Sequence, residues 1–435
     1  MPSVRFPCID PGEAPRTLTT LAPFRVKSFR FQWPADLVTS WAFEMETLIL
    51  GWYVMVNTGS VVVLTIFASL QFLGTLAAPM FGVLGDRVGG RAMLRAFRTT
   101  YAALAGVLAI MALTGGLSPV WVFVLAGLGG IVRPSDLVMR NALIGETVPP
   151  AHVMGAVGLS RASADSARVA GALTGAGLTS ALGVGYAYIV VTVFYLIGLA
   201  LTLGIARPRP IIDPGAPPSP ERIPPRRSRR GELKDGLVHV LTTPRLIAAM
   251  WLAFLVNLTA YPPSHGLLPY VARNVYQVDA TGLGWLVASF SFGGLLASIT
   301  MVVTGGSRLP ERTMLVHTAI WYAVLLAFGH VQTLGAGVFA LLLAGFAQNV
   351  ALISLTGSLL DAAAASFRGR VMGVRSLAVY GLPIGLMVSG ALIDRIGYAP
   401  TITVAAMVGL AGTVLIGVRW RNAVWRPAEV QPSAP

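Results

Sequence analysis

The stretch Gly82-Val-Leu-Gly-Asp-Arg-Val-Gly-Gly-Arg91 joins two long apolar runs, at about 60–84 and 98–115. Its glycines allow a tight turn and a close approach of neighbouring helices, because glycine has no side chain that would clash. Its acid, Asp86, and its arginines can pair with opposite charges or with helix ends. We therefore expect a short polar loop between two apolar helices.

Apolar runs of this kind continue along the whole chain. Of its 435 residues, 55% are hydrophobic and 11% are charged, and the mean hydropathy is +0.71. A helix needs about 20 apolar residues to cross a membrane, whereas a barrel strand alternates in polarity over about ten residues. The runs are continuous, so we predict an all-α membrane protein. Its twelve transmembrane helices, called spans 1 to 12, are predicted at 34–56, 60–84, 98–115, 117–139, 151–179, 185–206, 246–271, 281–304, 313–332, 335–358, 370–393 and 398–418.

A basic, proline-rich stretch divides the spans into two groups of six. It contains Arg207-Pro-Arg-Pro and Pro224-Pro-Arg-Arg-Ser-Arg-Arg, a composition that cannot pack an apolar core and is typical of a solvated linker. The predicted organisation is an N-terminal tail (1–33), a first six-helix bundle (34–206), the linker (207–245), a second six-helix bundle (246–418) and a C-terminal tail (419–435).

The basic residues predict the orientation of the chain. There are 32 lysines and arginines and a net charge of +14, with five basic residues in the N-terminal tail and nine in the linker. Because cytoplasmic loops are rich in Lys and Arg, both termini are predicted to be cytoplasmic, in a bacterial inner membrane. Topology and anionic lipid then explain the basic excess, and no nucleic-acid partner is expected. We expect a monomer surrounded by membrane lipids.

The loop from Gly82 to Arg91 resembles the signature loop of the major facilitator superfamily of transporters. The resemblance implies the major facilitator fold of two six-helix bundles, with this loop on the cytoplasmic side between spans 2 and 3. It also implies that the motif acid meets the start of span 11, and that a motif arginine pairs with an acid low on span 4. The expected conformational motif consists of Gly82, Asp86, Arg87, Gly89, Arg91 and, on span 4, Asp136.

Two further stretches look more narrowly like the branch that contains the enterobactin exporter and macrolide efflux permeases. They run from Val148-Pro-Pro to Arg168-Val-Ala-Gly-Ala-Leu-Thr-Gly175 and from Phe367-Arg-Gly-Arg-Val-Met-Gly to Gly381-Leu-Pro-Ile-Gly385. This resemblance implies export of a small organic compound. One departure is that the arginine of the drug-efflux signature on span 4 is missing, since Arg133 follows the glycine-rich run instead of preceding it.

Ionisable residues inside predicted spans are candidates for function, because a charge near the bilayer centre costs roughly 2.5 to 3.5 kcal/mol. Span 1 carries Glu44 and Glu46, which point about 160° apart on a helix and therefore face different neighbours. Span 5 carries Arg161, Asp165 and Arg168 on one helix face. If both sets meet, three carboxylates face two arginines, and neutrality requires one bound proton.

This arrangement predicts a proton and substrate site, with Glu44 or Glu46 carrying the proton. The alternative is a purely structural cluster in which Asp165 neutralises the two arginines and the glutamates bond backbone groups.

The second half offers fewer ionisable candidates. Span 7 contains Tyr261, a Pro262-Pro263 pair that must interrupt its helix, and His265, which stands at the place of Glu44 if the halves are repeats offset by 221 residues. Span 10 contains Gln348 and Asn349. These polar side chains suit either a cavity or a hydrogen bond to a neighbouring helix.

No nucleotide-binding loop, metal cluster or nucleophile triad appears in the sequence, so we expect no cofactor and no enzyme. The leading prediction is a secondary active transporter that moves a small organic solute by alternating access, with proton-coupled efflux. Two alternatives remain open. One is uptake of an organic anion by Arg161 and Arg168, and the other is a non-transporting sensor or lipid-handling protein on the same scaffold.

Overall fold

The structure, a computed structural model, describes residues 22–75, 81, 88–205, 238–307, 309–363 and 367–425. Within these ranges the chain is helical and contains no β-strand, so the predicted all-α class is confirmed. Eight of the described helical segments are long and apolar enough to cross a membrane, and one of them, Gly155–Leu203, is 49 residues long.

The helices follow the predicted spans. Spans 1 to 4 are Lys27–Thr58, Val61–Leu70, Gly90–Leu113 and Pro119–Thr147, and spans 5 and 6 lie in Pro150–Leu203. Span 7 begins as Pro244–Thr259, and spans 8 to 10 are Ala280–Val303, Pro310–Phe328 and Leu334–Ala362. Span 11 consists of Arg368–Ala378 and Gly381–Ile396, and span 12 is Tyr398–Arg419, followed by a short helix at Arg421–Val424. Exposed apolar side chains occur on many spans, for example Ile110, Val120, Val302 and Leu415. Such outward faces are suited to lipid.

Spans 5 and 6 are separated by a break at Gly183. A continuous helix over the 54 residues of Pro150–Leu203 would be about 80 Å long, far more than a bilayer needs. Gly183 has φ +82° and ψ 171°, a conformation outside the helical region that glycine adopts without steric cost. The chain therefore crosses twice, and span 1 packs against this hairpin.

Span 7 changes its helical geometry at its two prolines. The α-helix Pro244–Thr259 is followed by π-helical turns at Pro262–Gly266 and Val271–Val275. Because Pro262 and Pro263 have no N–H, they cannot bond the carbonyls one turn earlier. The Ser264 hydroxyl donates to the Ala260 carbonyl at 2.8 Å. The interruption predicted from the proline pair thus takes the form of widened turns.

Spans 3 and 4 are longer than the sequence predicts. Span 3 begins at Gly90 instead of 98, and span 4 continues to Thr147 instead of ending at 139. The extensions contain charged residues, which shorten an apolar run when hydropathy alone is considered. In the folded chain Arg140 pairs with Asp136, and Arg91 and Arg95 both donate to the Leu203 carbonyl, so the helices continue through these residues.

A buried network of four charges joins spans 1, 3 and 4. Asp36 pairs with Arg98, whose side chain is 1% exposed. Arg140 lies 2.5 Å from Asp136, Nη2 to Oδ2, and 3.6 Å from Asp36, Nε to Oδ1. Two carboxylates and two guanidinium groups balance, as burial requires. We name Asp36, Arg98, Asp136 and Arg140 the buried charge network.

The most extensive contacts between the two halves are those of span 2 with span 11 and of span 5 with span 8. The Ser69 hydroxyl of span 2 donates to the Pro383 carbonyl of span 11 at 3.3 Å. At the end of the bundle where span 5 finishes, Ser180 donates to Asp279 at 3.0 Å. At the same end, Arg273 donates to the Met55 carbonyl at 2.7 Å. The halves are therefore joined at the end opposite the described chain termini.

We expect Asp36→Asn to destabilise the protein by about 3 to 5 kcal/mol, because removing one partner leaves buried Arg98 uncompensated. Thermal or denaturant unfolding of the purified protein measures this. Asp394→Asn, at an exposed position, is the matched control and should have little effect. Equal stability of the two variants would show that the buried charge network contributes no net stabilisation.

Candidate functional site

One of the two predicted glutamates meets the charged face of span 5. The Arg168 Nε atom lies 3.2 Å from Oε1 of Glu44, and Arg168 Nη1 lies 3.6 Å from Oδ1 of Asp165. Arg161 Nε lies 3.8 Å from the other Asp165 oxygen. We name these four residues the central cluster. The structure thus brings four of the predicted site residues together.

The members of the central cluster differ in how far they reach open space. The side chain of Arg161 is 65% exposed, that of Arg168 35% and that of Glu44 19%, whereas Asp165 is only 6% exposed. Asp165 is therefore enclosed between its two arginines. Glu44 and the arginines can reach water or a solute.

The central cluster faces span 7 of the second half. Arg168 lies close enough to Tyr261 and His265 for its charge to act on both groups. The His265 ring centroid is 5.2 Å from that of Tyr261 and 4.8 Å from that of Phe290, yet His265 is exposed. Open space therefore lies beside His265, Arg168 and Glu44, where spans 1 and 5 face span 7, and we call this space the cavity.

Two glycines of span 5 allow span 1 to approach this closely. A Cβ atom at Gly171 would lie 2.7 Å from the Glu44 Cβ, and one at Gly175 would lie 3.0 Å from the Met45 Cα. The glycines are four residues apart and thus on one helix face. Because these glycines have no side chains, Glu44 can lie against span 5 and within reach of Arg168.

Glu46 faces a different part of the molecule. The Tyr195 hydroxyl of span 6 donates to it at 2.6 Å, and Arg133 of span 4 donates at 3.4 Å. Arg133 also donates to the Gln71 side chain at 2.7 Å. Glu46 therefore bonds within the first bundle, as expected for two side chains that point in nearly opposite directions.

A pocket in the first bundle surrounds Glu46 and Arg133. It contains about 390 Å³ of empty space, including its open mouth, and Phe67, Leu104 and Ala126 form apolar parts of its wall.

The pairing of Glu46 with Arg133 changes the charge balance expected from the sequence. The central cluster has two carboxylates and two arginines, and so it is neutral without a bound proton.

The polar residues of span 10 have separate partners. Gln348 Nε2 donates to the Tyr261 hydroxyl at 2.7 Å, which places it beside the cavity. Asn349 donates to the Gly294 carbonyl at 2.5 Å and to the Ser298 hydroxyl at 2.7 Å, and it is buried. Asn349 therefore bonds span 8, the alternative that its sequence context leaves open.

The conformational motif lies only partly within the described chain. Gly82, Asp86 and Arg87 lie outside the described residues. Gly89 has φ +92°, a conformation that favours glycine, and it precedes the first residue of span 3. Arg91 donates to the Leu203 carbonyl at 2.9 Å.

Asp136 is part of the buried charge network, where it accepts from Arg140 one turn along span 4. The pairing of Asp136 with a motif arginine stays a prediction.

Several charged residues have roles that the sequence analysis did not assign. Arg133 and Arg140 of span 4 are enclosed among helices, with side chains that are 17% and 14% exposed. Asp36, Arg98 and Arg375 lie in or at the edge of predicted spans, so the rule that selects Glu44 also selects them. Among the described residues, no group of three or more His, Cys, Asp or Glu side chains could hold a metal ion.

The all-helical fold of two halves and the match to a transporter family identify a non-enzymatic secondary transporter of the major facilitator class. The sequence matches the transmembrane secretion effector family over residues 18–435, and the chain belongs to this family. The narrower resemblance to the enterobactin exporter stays a prediction. Comparison with curated proteins finds no significant match.

Solved transporter structures are similar to this fold. A mutant of the nucleoside transporter NupG has a TM-score of 0.65 at 12% identity and covers 92% of this chain and 100% of that one. The peptide transporter POT in complex with sulfate has a TM-score of 0.67 at 12% identity, covering 92% and 95%. The human organic anion transporter MFSD10 has a TM-score of 0.58 at 16% identity, covering 91% and 99%. At these identities the likeness shows the fold alone.

We expect Gly171→Ala to destabilise the protein by about 1 to 3 kcal/mol, because the added methyl group meets Glu44 and the backbone of span 1. Gly177→Ala is the matched control, since no atom lies within 4 Å of a Cβ atom there. The control should be neutral or slightly stabilised. Unfolding temperatures of the purified variants measure the difference, and equal values would contradict close packing of spans 1 and 5.

Proposed function

We propose that this protein exports a small organic solute across a bacterial cytoplasmic membrane by alternating access and couples export to protons. The observation that carries the proposal is the Glu44–Arg168 pair, a partly exposed ion pair on the wall of the cavity between the halves. The family description, secretion, supports the direction of transport. The six-and-six organisation around the linker, both termini in the cytoplasm and a monomer with lipid neighbours belong to the same proposal.

Glu44 is better suited than Asp165 to carry the proton. Asp165 lies between two arginines and its side chain is 6% exposed, whereas Glu44 contacts one arginine and is 19% exposed. Protonation of Glu44 would remove its attraction to Arg168 and change the charge of the cavity wall by one unit. The other groups that face this pair are Tyr261 and His265 of span 7.

The contacts between the halves support a conformation open towards the termini. Hydrogen bonds from Ser180 and Arg273 join the halves at the opposite end, and the largely exposed Arg161 side chain lies nearer to the beginning of span 5. With cytoplasmic termini, this conformation admits solute from the cytoplasm. Rocking of the two bundles would then expose Glu44 to the outer side, where it exchanges its proton.

Uptake of an organic anion is the second candidate function. The exposed Arg161 side chain and the partly exposed Arg168 side chain favour it, because guanidinium groups bind carboxylates well. Flux measurements in proteoliposomes distinguish the two directions.

We expect Glu44→Gln to abolish accumulation driven by a pH gradient while solute exchange without a gradient continues, because Gln keeps the shape of the site but cannot bind the proton. The measurement uses proteoliposomes and a solute selected by its effect on the unfolding temperature of the purified protein. Glu146→Gln, at an exposed position on span 4, is the matched control and should retain both activities.

Glu46→Gln tests the other glutamate, which we expect to retain coupling because it bonds Tyr195 and Arg133 within the first bundle. Unchanged gradient-driven accumulation in both glutamate variants would contradict proton coupling through span 1. Absence of exchange by the unmodified protein would contradict transport itself and favour the sensor or lipid-handling alternative.

A further inference from the structure

The pocket around Glu46 and Arg133 is distinct from the cavity. Its described lining residues belong to spans 1 to 4 of the first bundle, and none of them is a member of the central cluster. Its empty space of about 390 Å³, open mouth included, lies within the usual range for small-molecule sites. The proposed transport function makes no use of this pocket.

The Glu46 carboxylate has one oxygen that is free to accept a hydrogen bond. Tyr195 and Arg133 both donate to Oε2, at 2.6 Å and 3.4 Å. The other oxygen, Oε1, accepts no hydrogen bond from any residue that the structure describes, although both oxygens of a carboxylate are acceptors. Because the Glu46 side chain lines the pocket and is 17% exposed, Oε1 can accept from a bound molecule.

The charges of the pocket balance without a ligand. Of the described residues that line it, Glu46 and Arg133 are the charged ones, and they pair with each other. Arg133 also donates to Gln71 at 2.7 Å and to Thr47 at 3.4 Å, so its terminal nitrogens already have partners. A charged ligand would lose its hydration here and find no unpaired opposite charge. The pocket therefore favours an uncharged molecule that carries a hydrogen-bond donor.

The remaining wall favours an apolar body on that molecule. Leu50 and Phe67 are buried, and Leu104 and Ala126 complete the apolar lining from spans 3 and 4. Spans 2 and 4 meet beside the pocket, because a Cβ atom at Gly130 would lie only 2.2 Å from the Leu70 carbonyl oxygen. Apolar atoms bound among these side chains are removed from water, which is favourable.

We propose that this pocket binds a small uncharged molecule with a hydroxyl group on an apolar body, of which phenol is the simplest ring-shaped example. The hydroxyl donates to Oε1 of Glu46, and the ring packs against Leu50, Phe67 and Leu104. Span 1 carries both Glu46 and Glu44, so a ligand held at Glu46 restrains rotation of span 1 and slows solute exchange at the central cluster. This last step rests on the proposed function, whereas the binding site does not.

The test of binding compares four ring compounds of similar size: phenol, toluene, benzoate and protonated benzylamine. Each is added at millimolar concentration to the purified full-length protein, and the unfolding temperature is measured. A ligand that binds only the folded protein raises this temperature. We expect a rise with phenol alone, because toluene lacks the donor and the other two compounds are charged.

Variants that fill the pocket make this test specific. Ala126→Leu places a larger side chain in the pocket and should lose the phenol effect. Leu104→Trp fills the pocket from span 3 and should give the same result, which covers the case that one variant does not fold. Ala103→Leu, at an exposed position on span 3, is the matched control and should keep the full effect. No rise with phenol, an equal rise with toluene, or a full phenol effect in a folded pocket-filling variant would overturn the site.

Solute exchange in proteoliposomes tests the restraint on span 1. We expect phenol to slow exchange by the unmodified protein and by Ala103→Leu, and to leave exchange by Ala126→Leu unchanged. Equal slowing of all three proteins would show an effect on the membrane and overturn the restraint. Phenol binding by a protein that exchanges no solute would contradict the proposed transport function and leave the site itself supported.

Discussion

The close packing of span 1 on span 5 is the contact on which the site depends. Span 1 can lie against span 5 because Gly171 and Gly175 present no side chains to it. This proximity brings Glu44 to Arg168 and simultaneously turns Glu46 towards the interior of the first bundle. One helix–helix contact therefore assigns two neighbouring glutamates to two separate environments, one beside the cavity and one inside the bundle.

The sequence predicts the fold better than it predicts the charge partners. Apolar runs are a property of the local chain, so the spans could be found from hydropathy. The predicted start of span 3 and the predicted end of span 4 were each wrong by eight residues, because Arg91, Arg95 and Arg140 lie in the missing parts and reach their partners only in the folded chain. Hydropathy assigns a cost to each charge separately and cannot include a partner from another helix.

In the candidate site, too, the local sequence does not identify partners that lie on other helices. The one-face spacing of the charges on span 5 was readable from helical periodicity, but the choice between Glu44 and Glu46 required the rotation of span 1 about its axis. Asn349 and Gln348 are adjacent and equally polar, yet one bonds span 8 and the other reaches Tyr261. Arg375 lies inside predicted span 11, yet nothing in the local sequence relates it to residues of the first half.

The π-helical turns of span 7 have a mechanical consequence. In a π turn each N–H reaches back five residues instead of four, so the segment contains one more residue than an α-helix of the same length. Such a turn can pass its extra residue along the helix by exchanging a few backbone hydrogen bonds, without unfolding either end. A shift of that residue along span 7 would rotate the side chains on one side of Pro262–Gly266 relative to those on the other. Such a shift would change the direction in which His265 points without any motion of the whole bundle.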